Sequence, residues 1–225
     1  MDNELVKSFS ETILNDDLKA VSGELLETSL DSIFESEILQ KVPIIGTLVA
    51  ICKTGLILKN RNLIRQTLQF MHELNNGTIE NGKKADFSNR VQSGDKKAQE
   101  EIERIMLILD STIDLEKSRI LARLVIAYIN ETLAYAQFHE LTDILNRFYL
   151  SDKQMLLRIR TSVIEDSIGQ EIYRVERLTG MGLIDATPKR VSFIGDVGRH
   201  DKYITISSIG KVFCDIGFSE ETVQL

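Results

Sequence analysis

Apolar side chains recur at steps of three and four residues along most of the chain. Leu5, Val6, Phe9, Ile13 and Leu14, then Leu25, Leu26, Leu30, Ile33, Phe34 and Ile38, mark two short amphipathic helices. The pattern then becomes nearly continuous. Val42 to Leu58 is seventeen residues, all apolar or small except Lys53 and two threonines. Pro43 suits the first turn of a helix, where its missing N–H is not needed, and nothing interrupts the pattern until Asn75, Asn76 and Gly77. The spacing therefore predicts one long apolar central helix over 43–75, about 45 Å in length. Its second half narrows to one face through Leu63, Ile64, Leu68, Phe70 and Met71.

A polar stretch follows, NNGTIENGKKADFSNRVQSGDKK, which reads as a loop with one short helix and is the expected partner-binding loop. Helical spacing resumes over Ala98–Asp110 and Leu115–Leu133, and again through Phe138, Leu141, Ile144, Leu145 and Phe148. Residues 1–150 thus read as one all-helical domain, with an N-terminal arm over 1–40. From Ser151 the texture changes. SDKQ opens a new helix, a further helix ends at Gly180 or Gly182, and a strand runs through Leu183 to Ala186. The alternation in RVSFIGDVGRHDKYITISS predicts a hairpin, and SSIGKVFCDIGF a closing helix. The fold class expected is mainly α: a helical bundle around the apolar central helix, then a small α+β winged-helix-like module over 151–225.

Charge is distributed unevenly within a formal net of −7. Residues 1–40 hold ten acids against Lys7 and Lys19, whereas 38–72 hold no acid but carry Lys41, Lys53, Lys59, Arg61 and Arg65. An acidic arm thus precedes a basic, apolar helix, and the two are expected to pack together and offset each other's charge. Cys52 and Cys214 lie far apart in apolar surroundings, without CxxC spacing. The start of the chain is acidic and amphipathic rather than basic and then apolar. Both features suit a reducing cytoplasm and buried free thiols.

The apolar stretch poses the sharpest functional question. Seventeen residues make about 25 Å of helix, short of a hydrocarbon core of about 30 Å. Gly46, Ala50 and Thr54 line up at four-residue steps as a ridge of small side chains that lets another helix approach closely. The preferred reading is a core helix. The alternative is membrane association, in which Lys53, Lys59 and Arg61 meet an anionic surface once the arm moves, leaving the protein peripheral to the inner membrane.

Catalytic signals are sparse. GTIENGKK, Gly77 to Lys84, meets a phosphate-loop spacing but follows a helix and has Lys84 where a magnesium-binding hydroxyl belongs. His139, Glu140 and Asp143 share one helical turn without the second histidine of a zinc protease. Arg65 and His72, two turns apart on one helical face, resemble the R-x(4–6)-H motif of HEPN ribonucleases, in which His acts as acid or base and Arg stabilises phosphate. Neither a cofactor nor a metal is expected, and no small-molecule substrate is evident. In the C-terminal module Arg174, Arg177, Lys189, Arg190, Arg199 and Lys202 are placed to meet nucleic acid. Residues 151–225 nevertheless hold ten basic and eleven acidic side chains, so a protein-contacting wing is preferred to a DNA-reading one.

The residues Gly182, Leu183, Ile184, Tyr203, Gly210 and Phe213 resemble a common winged-helix pattern. With the apolar helical segment before them, they are similar to the Abi-alpha family of predicted abortive-infection proteins. That resemblance covers the last quarter of the chain. It implies a bacterial or prophage protein of phage exclusion acting at the membrane, and it supplies no catalytic residues. The expectation is a non-enzymatic interaction or effector protein with a protein partner or a second copy of itself. The alternatives are a winged-helix DNA-binding regulator and a HEPN-like ribonuclease.

Overall fold

The computed structural model describes residues 7–9, 11–12, 42–52, 57–189 and 201–219, with backbone alone for 48, 49, 51, 52, 57–60 and 81. The chain divides into two compact units, Met1–Phe138 and His139–Leu225. Sequence texture puts the change at Leu150, in a loop after the helix that spans this division.

In the N-terminal unit the elements are α1 (Pro43–Cys52), α2 (Ile57–Asn76), α3 (Asn81–Gln92), α4 (Lys96–Ser111) and α5 (Leu115–Ile129). The single apolar helix expected over 43–75 is not found as one element. Two helices occupy that stretch, and 53–56 between them lie outside the described residues. Only α1 is apolar throughout; α2 is amphipathic and carries most of the core on one face, with Ile64, Leu68, Phe70, Met71 and Leu74 buried. The polar stretch after Gly77 is more helical than its composition suggests. It forms α3, a turn at Gly94 with φ 75°, and then α4, whose first turn is capped by Asp95 accepting from the Ala98 N–H at 2.9 Å.

Helix α5 packs along α2, and polar pairs set the register. Gln66, itself buried, donates to the Ile113 carbonyl at 2.7 Å and accepts from Ser118 Oγ at 2.6 Å. Two turns further on, Glu73 accepts from Arg119 Nε at 3.2 Å and Arg123 Nε at 2.6 Å. At the end of α2, Gly77 lies so close to α5 that a Cβ there would meet Ile126 Cδ1 at 2.2 Å.

The second unit comprises most of α6 (Tyr135–Arg147), a 3₁₀ turn (Leu150–Asp152), α7 (Lys153–Arg160), α8 (Ile172–Gly180), β1 (Ile184–Pro188), β2 (Lys202–Ile206) and α9 (Ser208–Gly217). Strands β1 and β2 pair antiparallel, Ile184 opposite Ile206 and Pro188 opposite Lys202. Pro188 lacks an N–H and ends the outer strand, where none is required. On the other side of β2, Asp166 bridges Tyr203, and the Ile204 N–H reaches the Glu165 carbonyl at 2.9 Å. Phe148, Phe213 and Phe218 form an aromatic core, with Phe148 and Phe213 centroids 5.2 Å apart. Cys214 is a buried free thiol there, and burial pushes its pKa up to about 12; the Cys52 side chain lies outside the described set.

Most of the residues behind the winged-helix resemblance have a packing reason. Gly182 takes φ 73° just past the end of α8, the left-handed stop glycine supplies most cheaply. Leu183, Ile184 and Phe213 are buried, whereas Tyr203 is exposed. At Gly210 a Cβ would sit 2.0 Å from the Leu183 carbonyl oxygen, a backbone atom that cannot yield. Gly210→Ala is therefore expected to lower stability by about 3 kcal/mol, measured by urea denaturation followed by circular dichroism. A loss below about 0.5 kcal/mol would mean that α9 slides freely on the strand.

Candidate functional site

The apolar helix α1 begins under a remote segment. Pro43 has no N–H, so the next backbone donor, Ile44 N–H, opens the helix, and it is accepted at 3.0 Å by Thr12 Oγ1. The same hydroxyl donates to the Ser8 carbonyl at 2.7 Å, and Ser8 Oγ lies 2.9 Å from Thr47 Oγ1. Thr47 in turn donates back to the Pro43 carbonyl at 2.9 Å. Phe9 lies 5.9 Å from the Phe70 ring, centroid to centroid, and is 1% exposed. Ser8, Phe9 and Thr12 thus supply both the cap of α1 and part of its apolar cover, and Val42, Ile44 and Ile45 are buried. Most of the acidic arm over 1–40 lies outside the described residues.

On α1 Gly46 is half-buried and Ala50 exposed, while Lys53 and Thr54 lie outside the described residues. Lys59 and Arg61 are on the first turns of α2, the Lys59 side chain not being described. Arg65 and His72 also lie on α2. Arg65 is exposed, His72 is half-buried with Nε2 3.0 Å from Asn76 Nδ2, and no hydrogen bond or ion pair joins them. Among the described residues no helix is long and apolar enough to cross a membrane, and no group of His, Cys, Asp or Glu is placed to hold a metal ion. GTIENGKK runs from one helix into another, and Lys83 is held by Glu131.

In the second unit the four described cations among the six singled out for nucleic acid are already engaged. Arg177 binds Asp152 with two bonds of 2.6 Å, and Arg174 lies 3.5 Å from the same carboxylate and 2.9 Å from Glu171. Asp152 has no exposed side-chain surface, so this charge must be paired. Lys189 meets Asp166 at 2.8 Å, and Lys202 meets Glu176. The hydrogen bond from Lys189 holds the Asp166 carboxyl below its ordinary value. Arg190 and Arg199 lie outside the described residues. Among the described residues this unit also exposes Arg158 and Lys211, and its exposed large apolar side chains are Tyr149, Tyr173 and Tyr203 with Val163, Ile168 and Ile172. The Arg177 guanidinium stacks over the Tyr149 ring at 4.2 Å.

Sequence reasoning missed a third feature. Between α3 and the turn after α5 lies a cavity of about 300 Å³. Phe87, Ile129 and Leu133 are buried at its base, Tyr128 and Tyr135 line it, and Lys83, Asp86, Arg90 and Glu131 supply its charge. Behind it Glu101, wholly buried, accepts from Tyr128 Oη at 2.6 Å and from Arg90 Nη2 at 3.2 Å. Burial, opposed by those two donors, raises the Glu101 carboxyl above its ordinary 4.5, and burial together with Glu101 lifts Tyr128 to about 12. The sequence carried one usable signal: Glu101 falls on the apolar face of α4, between Ala98 and Ile105, where a carboxylate needs partners.

Two outcomes test these assignments. Arg177→Ala strands a buried carboxylate and is expected to cost about 2 kcal/mol of stability, whereas a residue serving DNA contact alone would be neutral on removal. Because the Glu101 pKa is raised, its contribution to stability is full below 4.5 and is lost as pH rises through the folded-state value. The Tm of Glu101→Gln relative to wild type should therefore increase from about pH 4 to about pH 7; a constant difference would show that Arg90 and Tyr128 offset burial, and a decrease that they outweigh it. No protein-family model matches the chain, and no curated protein or solved structure matches it significantly.

Proposed function

We propose that the protein is a non-enzymatic effector of bacterial phage defence whose N-terminal segment holds an apolar helix in reserve. The observation that carries this reading is the capping of α1 by Thr12, thirty-two positions away in sequence. A helix whose first donor and apolar face both depend on a separate segment loses cap and cover together when that segment leaves. The contacts from Ser8 and Thr12 are neutral hydrogen bonds that water can replace, so release is inexpensive relative to global unfolding. The similarity of the C-terminal residues to the Abi-alpha pattern supplies the biological setting. Ten residues of α1 span about 15 Å, so the reading is interfacial association rather than a span, with Lys59 and Arg61 toward anionic headgroups.

The C-terminal unit is read as winged-helix-like. Helix α7, the short bridge at Asp166, helix α8, the β1–β2 pair and α9 follow one another in the order that pattern requires, with β2 central. Of its described cations Arg174, Arg177, Lys189 and Lys202 are internally paired while Arg158 and Lys211 are exposed, and its exposed large apolar side chains include three tyrosines and two isoleucines, a balance that supports contact with protein rather than nucleic acid. The proposed location is the cytoplasm, with the inner membrane as target.

Flotation on anionic vesicles tests the guard. Thr12→Val keeps the volume and removes the cap, worth about 1 kcal/mol or about fivefold in the docked-to-released ratio, and Phe9→Ala removes the cover. Wild type should remain in the dense fraction and the double variant should float. A double variant that keeps its helical circular dichroism and does not float counts against the membrane role. Equal phage plating on hosts with and without the native operon counts against the defence role.

A further inference from the structure

We infer that the cavity between α3 and the α5 turn is a binding site for a small planar organic acid, with an aromatic or conjugated body and a carboxylate end. The shape and lining set the body of the ligand. A cavity of about 300 Å³ is at the small end of ligand sites, and an apolar base of Phe87, Ile129 and Leu133 between two tyrosines accepts a flat ring.

The placement of charge sets its end. Lys83 and Arg90 are half-buried, whereas Asp86 and Glu131 are exposed; Lys83 is held by Glu131 and Arg90 by Glu101, so an entering carboxylate exchanges with the exposed Glu131 for Lys83 at the rim. Arg90 directs its carboxylate contacts, to Glu101 at 3.2 Å and Asp95 at 3.7 Å, through Nη2 alone. A guanidinium has five N–H donors, and Nη2 carries two of them. Nε and Nη1 carry the other three. Glu101 behind the wall fixes the guanidinium from the far side, and Tyr128, stacked on Phe138 at 4.7 Å, fixes Glu101. The cation is thus preorganised rather than free to swing.

A second observation is independent of the cavity's shape. Glu131 has φ 59° at the stop of α5, where the Thr132 N–H returns to the Ala127 carbonyl at 2.9 Å. Glycine is the residue that takes this conformation without strain. The strained residue here is a glutamate whose carboxylate holds Lys83 at the cavity rim. Ser162 takes φ 56° at the stop of α7 in the same kind of turn, so the conformation is one way this chain ends helices, and what Glu131 adds at the rim is its hold on Lys83.

Three probes with one ring and different charge test the inference on the full chain: benzoate, benzyl alcohol and benzylamine, titrated against ¹H–¹⁵N spectra. Benzoate should bind with a Kd of about 1 mM and shift the Ile129 and Leu133 amides, benzyl alcohol about tenfold more weakly, and benzylamine not at all. Lys83→Gln should weaken benzoate at least about threefold without changing Tm. Glu131→Gly should raise Tm by about 2 °C and strengthen benzoate, because it removes the carboxylate that competes for Lys83. Benzylamine binding as tightly as benzoate, shifts confined to other regions, or no benzoate binding at about 20 mM would each overturn the assignment. Glu131→Gly that raises Tm and leaves benzoate affinity unchanged would remove Glu131 from it.

Discussion

The packing of α2 along α5 is the constraint on which the N-terminal unit depends. Apolar burial supplies the attraction, since Ile64, Leu68 and Phe70 on one helix and Ile120, Leu121 and Leu124 on the other are essentially excluded from water. Attraction of that kind is indifferent to register. Polar groups decide it: Gln66 and Glu73 must be met by Ser118, Arg119 and Arg123, and a buried amide left unmet costs more than a methylene misplaced. Gly77 adds a steric stop against Ile126. With the pair locked, the end of α5 and its turn are fixed, and so is the wall that Tyr128 and Glu131 contribute to the cavity.

Ion pairing is used differently in the second unit. Four of its cations, Arg174, Arg177, Lys189 and Lys202, look available in sequence and are committed in space, Arg177 most completely, because Asp152 cannot remain charged and buried without it. A bidentate partner that also stacks on Tyr149 is a structural strut. Tyrosine rings accompany these pairs, Tyr149 and Tyr173 beside Arg177 and Tyr203 beside Lys189.

The two proposals place function where folding is least economical. Helix α1 borrows its cap from a distant threonine, and α5 stops on a glutamate where glycine is cheaper. The first supplies the proposed releasable cover; the second, shared with Ser162 at the end of α7, sets a carboxylate on Lys83.

Much of the fold was legible in sequence because it rests on local periodicity and local stop signals. The helices around Ile102, Leu124 and Phe138, the glycine stop at Gly182, the β1 strand and the serine that caps α9 all follow from residues within a few positions of one another. The long apolar helix did not follow, because a continuous apolar run carries no periodicity to say where one helix becomes two. The helical character of 81–92 was hidden for the opposite reason, too few apolar residues to reveal a face. Tertiary structure alone decided the rest: Thr12 capping Ile44, Asp152 holding Arg177, and Arg90, Glu101 and Tyr128 assembling behind one cavity. Each joins side chains from separate elements, and hydrogen bonding and charge act across a few ångströms of space, a distance that separation along a chain does not specify.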